Sequence, residues 1–125
     1  MTLLSNQQGR ELLAKKKTKR SREGNVPTEY NGIMYQSQKE ANRAKHWDWM
    51  LQLGQIKYWK RQVPLKIEIG GIHITTYLCD FVAEYNNGKI RYEDCKGRKS
   101  GGPYQMFQIK KRLVKALLGI EIIEI

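Results

Sequence analysis

The stretch that decides the fold runs from residue 72 to residue 96 and reads IHITTYLCDFVAEYNNGKIRYEDCK. β-branched and aromatic residues dominate both halves, which is typical of strands. Between the halves stands Asn86-Asn87-Gly88, a sequence that favours a tight turn. The stretch therefore predicts two antiparallel strands, over residues 72–85 and 89–96, joined by a short turn.

The segments that flank this hairpin extend it into a mixed sheet. Residues 56–69 predict an extended segment whose Pro64 suits a sheet edge or a bulge, and Gly70-Gly71 predicts a turn into the next strand. Residues 104–118 predict an amphipathic helix, and residues 120–125 predict a last strand. Because a helical crossover precedes it, this strand is expected to lie parallel to a neighbour.

Another helix is predicted before the sheet. Ser37 and Glu40 have the spacing of a capping box, and Gly54 follows the last periodic residue, Leu53. The expected order is helix, three antiparallel strands, helix, strand, which makes an α/β fold with a mixed central sheet flanked by helices. The residues predicted to face the core are Ala41, Ala44, Trp47 and Leu51 in the first helix and Phe107, Leu113, Val114 and Leu117 in the second.

The composition points to a polyanionic partner. The chain of 125 residues has 23 Lys+Arg against 12 Asp+Glu, a net charge of +11. Such an excess costs self-repulsion, and nucleic acid is the partner that fits it best. No apolar run approaches the roughly 20 residues that span a bilayer, and no secretory signal is visible, so we expect a cytoplasmic protein with no membrane partner. Cys79 and Cys95 lack zinc-ligand spacing and are expected to be free thiols.

Basic residues cluster in three places. Residues 1–29 are interpreted as a basic, flexible arm, and residues 30–125 as the folded domain. A solvated tail or helix face would have the same composition, so contact with phosphate and plain solvation both remain open. The predicted phosphate contacts are Lys15, Lys16, Lys17, Lys19 and Arg20 in the arm, Arg98 and Lys99 in the loop after the hairpin, and Lys110 and Lys111 on the second helix.

Chemistry is concentrated on the hairpin. Asp80 stands in the middle of an apolar strand, where a charge is costly unless it is paired or binds a metal. With a side-chain period of two, Asp94 and Lys96 share one face, and Glu93 and Cys95 share the other. The short turn brings Asp80 beside Asp94. Two carboxylates and water suit Mg²⁺, an ion that activates water and polarises a phosphate, while a neighbouring lysine steadies the negative charge. The alternative is an interstrand ion pair that only holds register.

Asp80, Asp94-Cys95-Lys96 and the helical Glu40 together resemble the PD-(D/E)xK nuclease superfamily. More closely, the layout is similar to the small phage-encoded Holliday junction resolvases, which have a restriction-endonuclease-like core. Cys79 stands where the motif has proline. The resemblance covers about residues 30–125 and is carried by Ser37-Gln38-Lys39-Glu40-Ala41, Gln62-Val63-Pro64, Tyr77-Leu78-Cys79-Asp80-Phe81, Glu93-Asp94-Cys95-Lys96-Gly97 and Gly119-Ile120.

The resemblance implies both an activity and a set of site residues. Glu40, Asp80 and Asp94 would bind Mg²⁺, with Mn²⁺ as a substitute, and the backbone carbonyl of Cys95 would be a further ligand. Lys96 would be the catalytic lysine. The implied activity is a metal-dependent endonuclease that cuts branched DNA and resolves four-way junctions by paired nicks. The implied assembly is a homodimer in the host cytoplasm of a phage, with no small-molecule substrate.

Several alternatives remain open at this point. Instead of binding metal, Glu40 would only complete the capping box that begins at Ser37. Gln62 would contact either a metal-bound water or a strand edge, and a bulge would exchange Glu93 for Asp94 as the ligand. The rival functions are a non-catalytic basic DNA-binding module and a nicking or restriction-type nuclease.

Overall fold

The structure is a computed structural model, and it describes residues 25–97 and 99–125. By its internal contacts the chain divides between Ala44 and Lys45 into two units, of which the described residues 25–44 belong to the first. The predicted division between an arm and a domain at residues 29 and 30 stays a prediction.

A small hairpin occupies the described part of the first unit. Strands β1 (Thr28–Tyr30) and β2 (Ile33–Tyr35) pair antiparallel. Asn31 and Gly32 form the turn with φ of 53° and 80°. Two successive positive φ angles match the right-handed twist of the strands, and Asn-Gly adopts them readily.

Helix α1 (Gln38–Gln52) follows and continues into the second unit. The Ser37 hydroxyl accepts a hydrogen bond from the Glu40 backbone N–H at 3.1 Å, as an N-cap does. Ala41, Ala44 and Trp47 are buried as predicted. The prediction for Leu51 is wrong, since this side chain is 42% exposed. Residues 51–55 are all exposed, so the last turn of α1 runs past the packed surface.

The second unit contains a four-stranded mixed sheet in the order β3-β4-β5-β6. The first three strands are antiparallel, and β6 is parallel to β5, as predicted. The first two strands of this sheet, β3 and β4, end where the glycine-containing turns predict. Strand β5 is shorter than expected, so that Cys95 and Lys96 lie just beyond it. The strands are β3 (Ile56–Ile69), β4 (Ile72–Tyr85), β5 (Ile90–Asp94) and β6 (Ile122–Glu124).

Helix α2 (Gly102–Leu118) forms the crossover between β5 and β6. Gly119 ends it in the left-handed conformation, φ 68°, and donates its N–H to the carbonyl of Lys115, as a C-cap does. Phe107 and Val114 are buried, whereas Leu117, predicted inward, is 42% exposed. Residues 115–119 are all exposed, because the last turn of α2 extends beyond the core as α1 does.

Two helical segments cover opposite faces of this sheet. On one face α2 joins a core cluster of Ile67, Tyr77, Cys79, Val82, Phe107, Val114 and Ile122. On the other face Trp47, from the second half of α1, contacts Tyr85 and donates a hydrogen bond to Glu93. The unit is therefore an α/β layer structure. No helix in the described ranges is both long and apolar enough to cross a membrane.

Side chains along β3 and β4 alternate between the two faces of the sheet, and this alternation is interrupted once, between the pairs Arg61↔Phe81 and Val63↔Cys79. Phe81 packs against Trp59 and is not a member of the α2 cluster, yet Cys79, two residues earlier, is. Strict alternation would have put both on one face. At the level between them Gln62 has a left-handed φ of 51°, which turns the strand. The pairing register is the same at Arg61↔Phe81 and at Val63↔Cys79, so the alternation of faces is interrupted at the same place in both strands.

Candidate functional site

Asp80 lies at the level where the alternation changes. Its Oδ1 accepts a hydrogen bond from Gln62 Nε2 at 3.1 Å, and its Oδ2 accepts one from the Cys95 backbone N–H at 2.9 Å. The ladder between β4 and β5 ends one level away, at Phe81↔Glu93. The Asp80 carboxylate therefore takes the place of a backbone acceptor for Cys95. Donors from both neighbouring segments hold it.

Asp94 follows on β5 and is only 3% exposed. Its Oδ2 accepts a hydrogen bond from the Tyr77 hydroxyl, and its Oδ1 lies 2.9 Å from Lys96 Nζ. Burial and the charge of Asp94 raise the pKa of Tyr77, so this phenol stays protonated and donates. Lys96 Nζ also lies 3.8 Å from the centroid of the Phe107 ring, a cation–π arrangement. The ammonium group thus has a carboxylate and an aromatic ring as partners.

The two aspartates are neighbours. Continuing the Phe81↔Glu93 register by one residue places Asp80 opposite Asp94. Burial is the main cause that raises the pKa of the Cys79 thiol to about 12, and the charges of Asp94 and Asp80 both raise it further. Both carboxylates therefore act on one buried thiol. The structure brings Asp80, Asp94 and Lys96 together in one cluster.

Glu93 points to the opposite face of β5. Its side chain is fully buried, with Oε1 accepting a hydrogen bond from Trp47 Nε1 at 3.1 Å and Oε2 lying 2.5 Å from Arg91 Nε. The residue that shares a face with Lys96 is Asp94, as the period of two predicts. A bulge that would exchange Glu93 for Asp94 is absent from this pair of described strands.

Glu124 is an acid that the sequence did not single out. It is paired with Asp94 across the parallel ladder and accepts hydrogen bonds from three residues of α2. These are Tyr104 at 2.7 Å, Gln108 at 3.1 Å and Lys111 at 2.8 Å. Burial tends to raise the pKa of Glu124, but the hydrogen bonds outweigh it and lower the pKa to about 2.

Three partners in this region were missed from the sequence: Tyr77, Phe107 and Glu124. The approach of Tyr77 to Asp94 depends on the interrupted alternation, which has no sequence signature. Phe107 was predicted as core, which it is, but its contact with Lys96 depends on how α2 crosses the sheet. The position of Glu124 depends on the register of a parallel crossover, which no local pattern sets.

The roles predicted for the remaining residues stay predictions. Glu40 is 9% exposed and belongs to the first unit, so its role as a third ligand stays a prediction. Cys95 is half-buried, and its carbonyl also stays a prediction. Lys99 is exposed, Lys110 is half-buried, and Lys111 is paired with Glu124. Outside the described residues lie Lys15, Lys16, Lys17, Lys19, Arg20 and Arg98.

The cluster fits a small donor set for a divalent metal. In residues 25–97 and 99–125, no group of three or more His, Cys, Asp or Glu side chains is arranged to hold an ion. Mg²⁺ is commonly bound by only one or two carboxylates, with water and a substrate phosphate completing its shell. Asp80 and Asp94 match that donor set. A metal there would share the Asp94 carboxylate with Lys96.

Comparison with known proteins finds no relative: the chain matches no protein-family model, no curated protein and no solved structure. A functional assignment therefore depends on the residues and their geometry.

Proposed function

We propose that the chain is a metal-dependent endonuclease of the PD-(D/E)xK type, with a restriction-endonuclease-like core. The observation that carries this proposal is the cluster of Asp80 in β4, Asp94 at the end of β5 and Lys96 just beyond β5. Two adjacent carboxylates with a lysine beside them form a costly arrangement in a small domain. Phosphodiester hydrolysis is a reaction that uses all three groups.

Each of these side chains has a distinct task in the proposed reaction. Asp80 and Asp94 would hold Mg²⁺, which when bound supplies a Lewis acid and an activated water. Asp80 would present its carboxylate to the metal in a fixed orientation, because Gln62 and the Cys95 N–H already hold its two oxygens. Asp94 and Phe107 hold the ammonium group of Lys96 in place, and this group would steady the charge on the phosphate.

The substrate we propose is branched DNA, and in particular a four-way junction. The net charge of +11 supports a nucleic-acid partner. The preference for a junction depends on the resemblance to the phage resolvases. Paired nicks on a twofold junction require two sites in one assembly, so we also propose a homodimer. Light scattering of the purified chain measures its mass, and a monomer at every concentration up to that of the assay contradicts this part.

The test is a panel of linear duplex, flap, fork and four-way junction, with and without Mg²⁺ or Mn²⁺. We expect paired cleavage of the junction only with metal. Asp80→Asn and Lys96→Ala should each lower the cleavage rate by about 10²–10³-fold while junction binding survives. Lys66→Ala, which removes an exposed lysine of β3, is the matched control and should cleave normally. Undiminished cleavage by Asp80→Asn protein would falsify the site assignment.

A second candidate is a non-catalytic DNA-binding module. One observation favours it: Asp80 and Asp94 are both satisfied within the protein, by Gln62, Cys95, Tyr77 and Lys96. This candidate predicts an affinity that falls steeply with salt and no product on any substrate with either metal. The same panel also separates a nicking or restriction-type nuclease, which would cut linear duplex.

A further inference from the structure

Gln62 has an unusual backbone conformation. Among the described residues only Asn31 and Gln62 combine a side chain with a positive φ, and Asn31 does so in a turn where this is common. Gln62 does so in the interior of β3, with φ 51°. L-residues adopt this region at a cost, whereas glycine does not. The presence of a glutamine therefore suggests that the side chain contributes something that glycine lacks.

The contribution visible in the structure is a single contact. Gln62 Nε2 donates to Asp80 Oδ1, while the other oxygen of Asp80 accepts the Cys95 N–H. A carboxylate turns easily about its last side-chain bond. Donors on both oxygens, one from the β3 side and one from the segment after β5, fix the plane of that carboxylate.

We propose that Gln62 is a positioning residue that sets the orientation of the Asp80 carboxylate for metal and phosphate. This inference depends on the proposed function, because it assumes that Asp80 acts in the site. Groups that orient a metal-binding carboxylate without touching the metal commonly contribute 10–100-fold in metal affinity or activity, and we expect an effect of about that size.

A purely structural role is the competing explanation. The left-handed turn at Gln62 interrupts the alternation of faces and sends Val63 and Leu65 to the α2 core. If this were its whole purpose, the side chain at position 62 would be irrelevant. Glycine would then serve at least as well, since it adopts the same φ without strain.

Two substitutions separate these explanations. Gln62→Gly and Gln62→Ala both remove the amide, but only alanine retains the strain of a Cβ at positive φ. We therefore expect Gln62→Gly to unfold at a higher temperature than Gln62→Ala. We expect both to lower kcat for junction cleavage by the same 10–100-fold, with unchanged KM and unchanged junction affinity without metal. Asn31→Gly, the matched change at the other left-handed residue, should leave kcat unaltered.

A titration with Mn²⁺ supplies a readout that does not depend on cleavage. Both Gln62 variants should bind Mn²⁺ about 10–100-fold more weakly than the wild type. The positioning role is overturned if Gln62→Gly cleaves or binds Mn²⁺ like the wild type, or if kcat simply follows stability in the two variants. If the wild type cuts no DNA, the proposed function fails, and the Mn²⁺ titration still decides the role of Gln62. A wild type that does not bind Mn²⁺ overturns both.

Discussion

Removing the charge of Glu93 or of Asp94, the two adjacent acids of β5, should have opposite effects on stability and on cleavage. Glu93 lies on the α1 face and Asp94 on the α2 face. We predict that Glu93→Gln lowers stability and largely spares cleavage. Asp94→Asn should largely spare stability and strongly lower the rate of cleavage.

The size of the Glu93 effect follows from two of its partners. Trp47 Nε1 and Arg91 Nε both point a hydrogen at its carboxylate, and neither nitrogen can accept a hydrogen bond. A glutamine offers one oxygen and one NH₂, so one of the two donors would face another donor. Breaking a buried ion pair costs about 3–5 kcal/mol, and the partial exposure of Arg91 reduces this to about 2–4 kcal/mol. For a domain of this size that is a fall of roughly 10 °C in Tm.

The Asp94 effect on stability should be smaller. Asparagine keeps an oxygen for Lys96 and turns its NH₂ toward Tyr77, whose hydroxyl can accept as well as donate. Removing one of two neighbouring negative charges also relieves repulsion with Asp80. We expect a loss of about 1 kcal/mol or less.

The assay is thermal unfolding by circular dichroism, together with junction cleavage in Mg²⁺ at 25 °C, where both variants are folded. Glu93→Gln should cleave within about threefold of the wild type, and Asp94→Asn should lose about 10²–10³-fold. Loss of cleavage in folded Glu93→Gln protein would refute the division of roles between the two faces. So would a lower Tm for Asp94→Asn than for Glu93→Gln.

Three further predictions concern other parts of the chain. Because the folded pKa of Glu124 is about 2 and its ordinary value is 4.5, its contribution to stability is present above pH 4.5 and is lost as the pH falls towards 2. Glu124→Gln should remove this pH dependence of stability, which is worth about 1–3 kcal/mol once the partial exposure of Lys111 is considered. Equal acid unfolding curves for the variant and the wild type would contradict this prediction. Cys79, which is fully buried, should react with a thiol reagent only after unfolding, whereas half-buried Cys95 should react in the native protein; two equally slow thiols would count against this arrangement. Lys99→Ala should lower the slope of log affinity against log salt by about one, and an unchanged slope would exclude Lys99 from phosphate contact.

Local rules were sufficient for much of the fold and for part of the site. Gly70-Gly71 and Asn86-Asn87-Gly88 mark the ends of β4, because turn chemistry acts over a few residues. The period of two correctly separates Asp94 from Glu93, since β5 is regular up to its end.

The features that could not be predicted depend on distant parts of the chain. Helical periodicity identifies the inner face of α1 and α2, but not where the surface beneath it stops, and so Leu51 and Leu117 were misplaced. A left-handed asparagine before glycine is recognisable, as at Asn31, whereas a left-handed glutamine such as Gln62 is not. The interrupted alternation at Asp80, and with it the approach of Tyr77 to Asp94, depends on the left-handed conformation of Gln62.

The interrupted alternation at Gln62 and Asp80 also limits how the long hairpin can vary in length. Beyond this level Val63, Leu65 and Tyr77 face the α2 core. Deleting one residue from each strand there would exchange the inner and outer faces and expose these side chains to water. Deleting two from each strand would keep every face and only bring the turn nearer to the site. Shorter or longer forms of this hairpin that still fold should therefore differ in steps of two residues per strand.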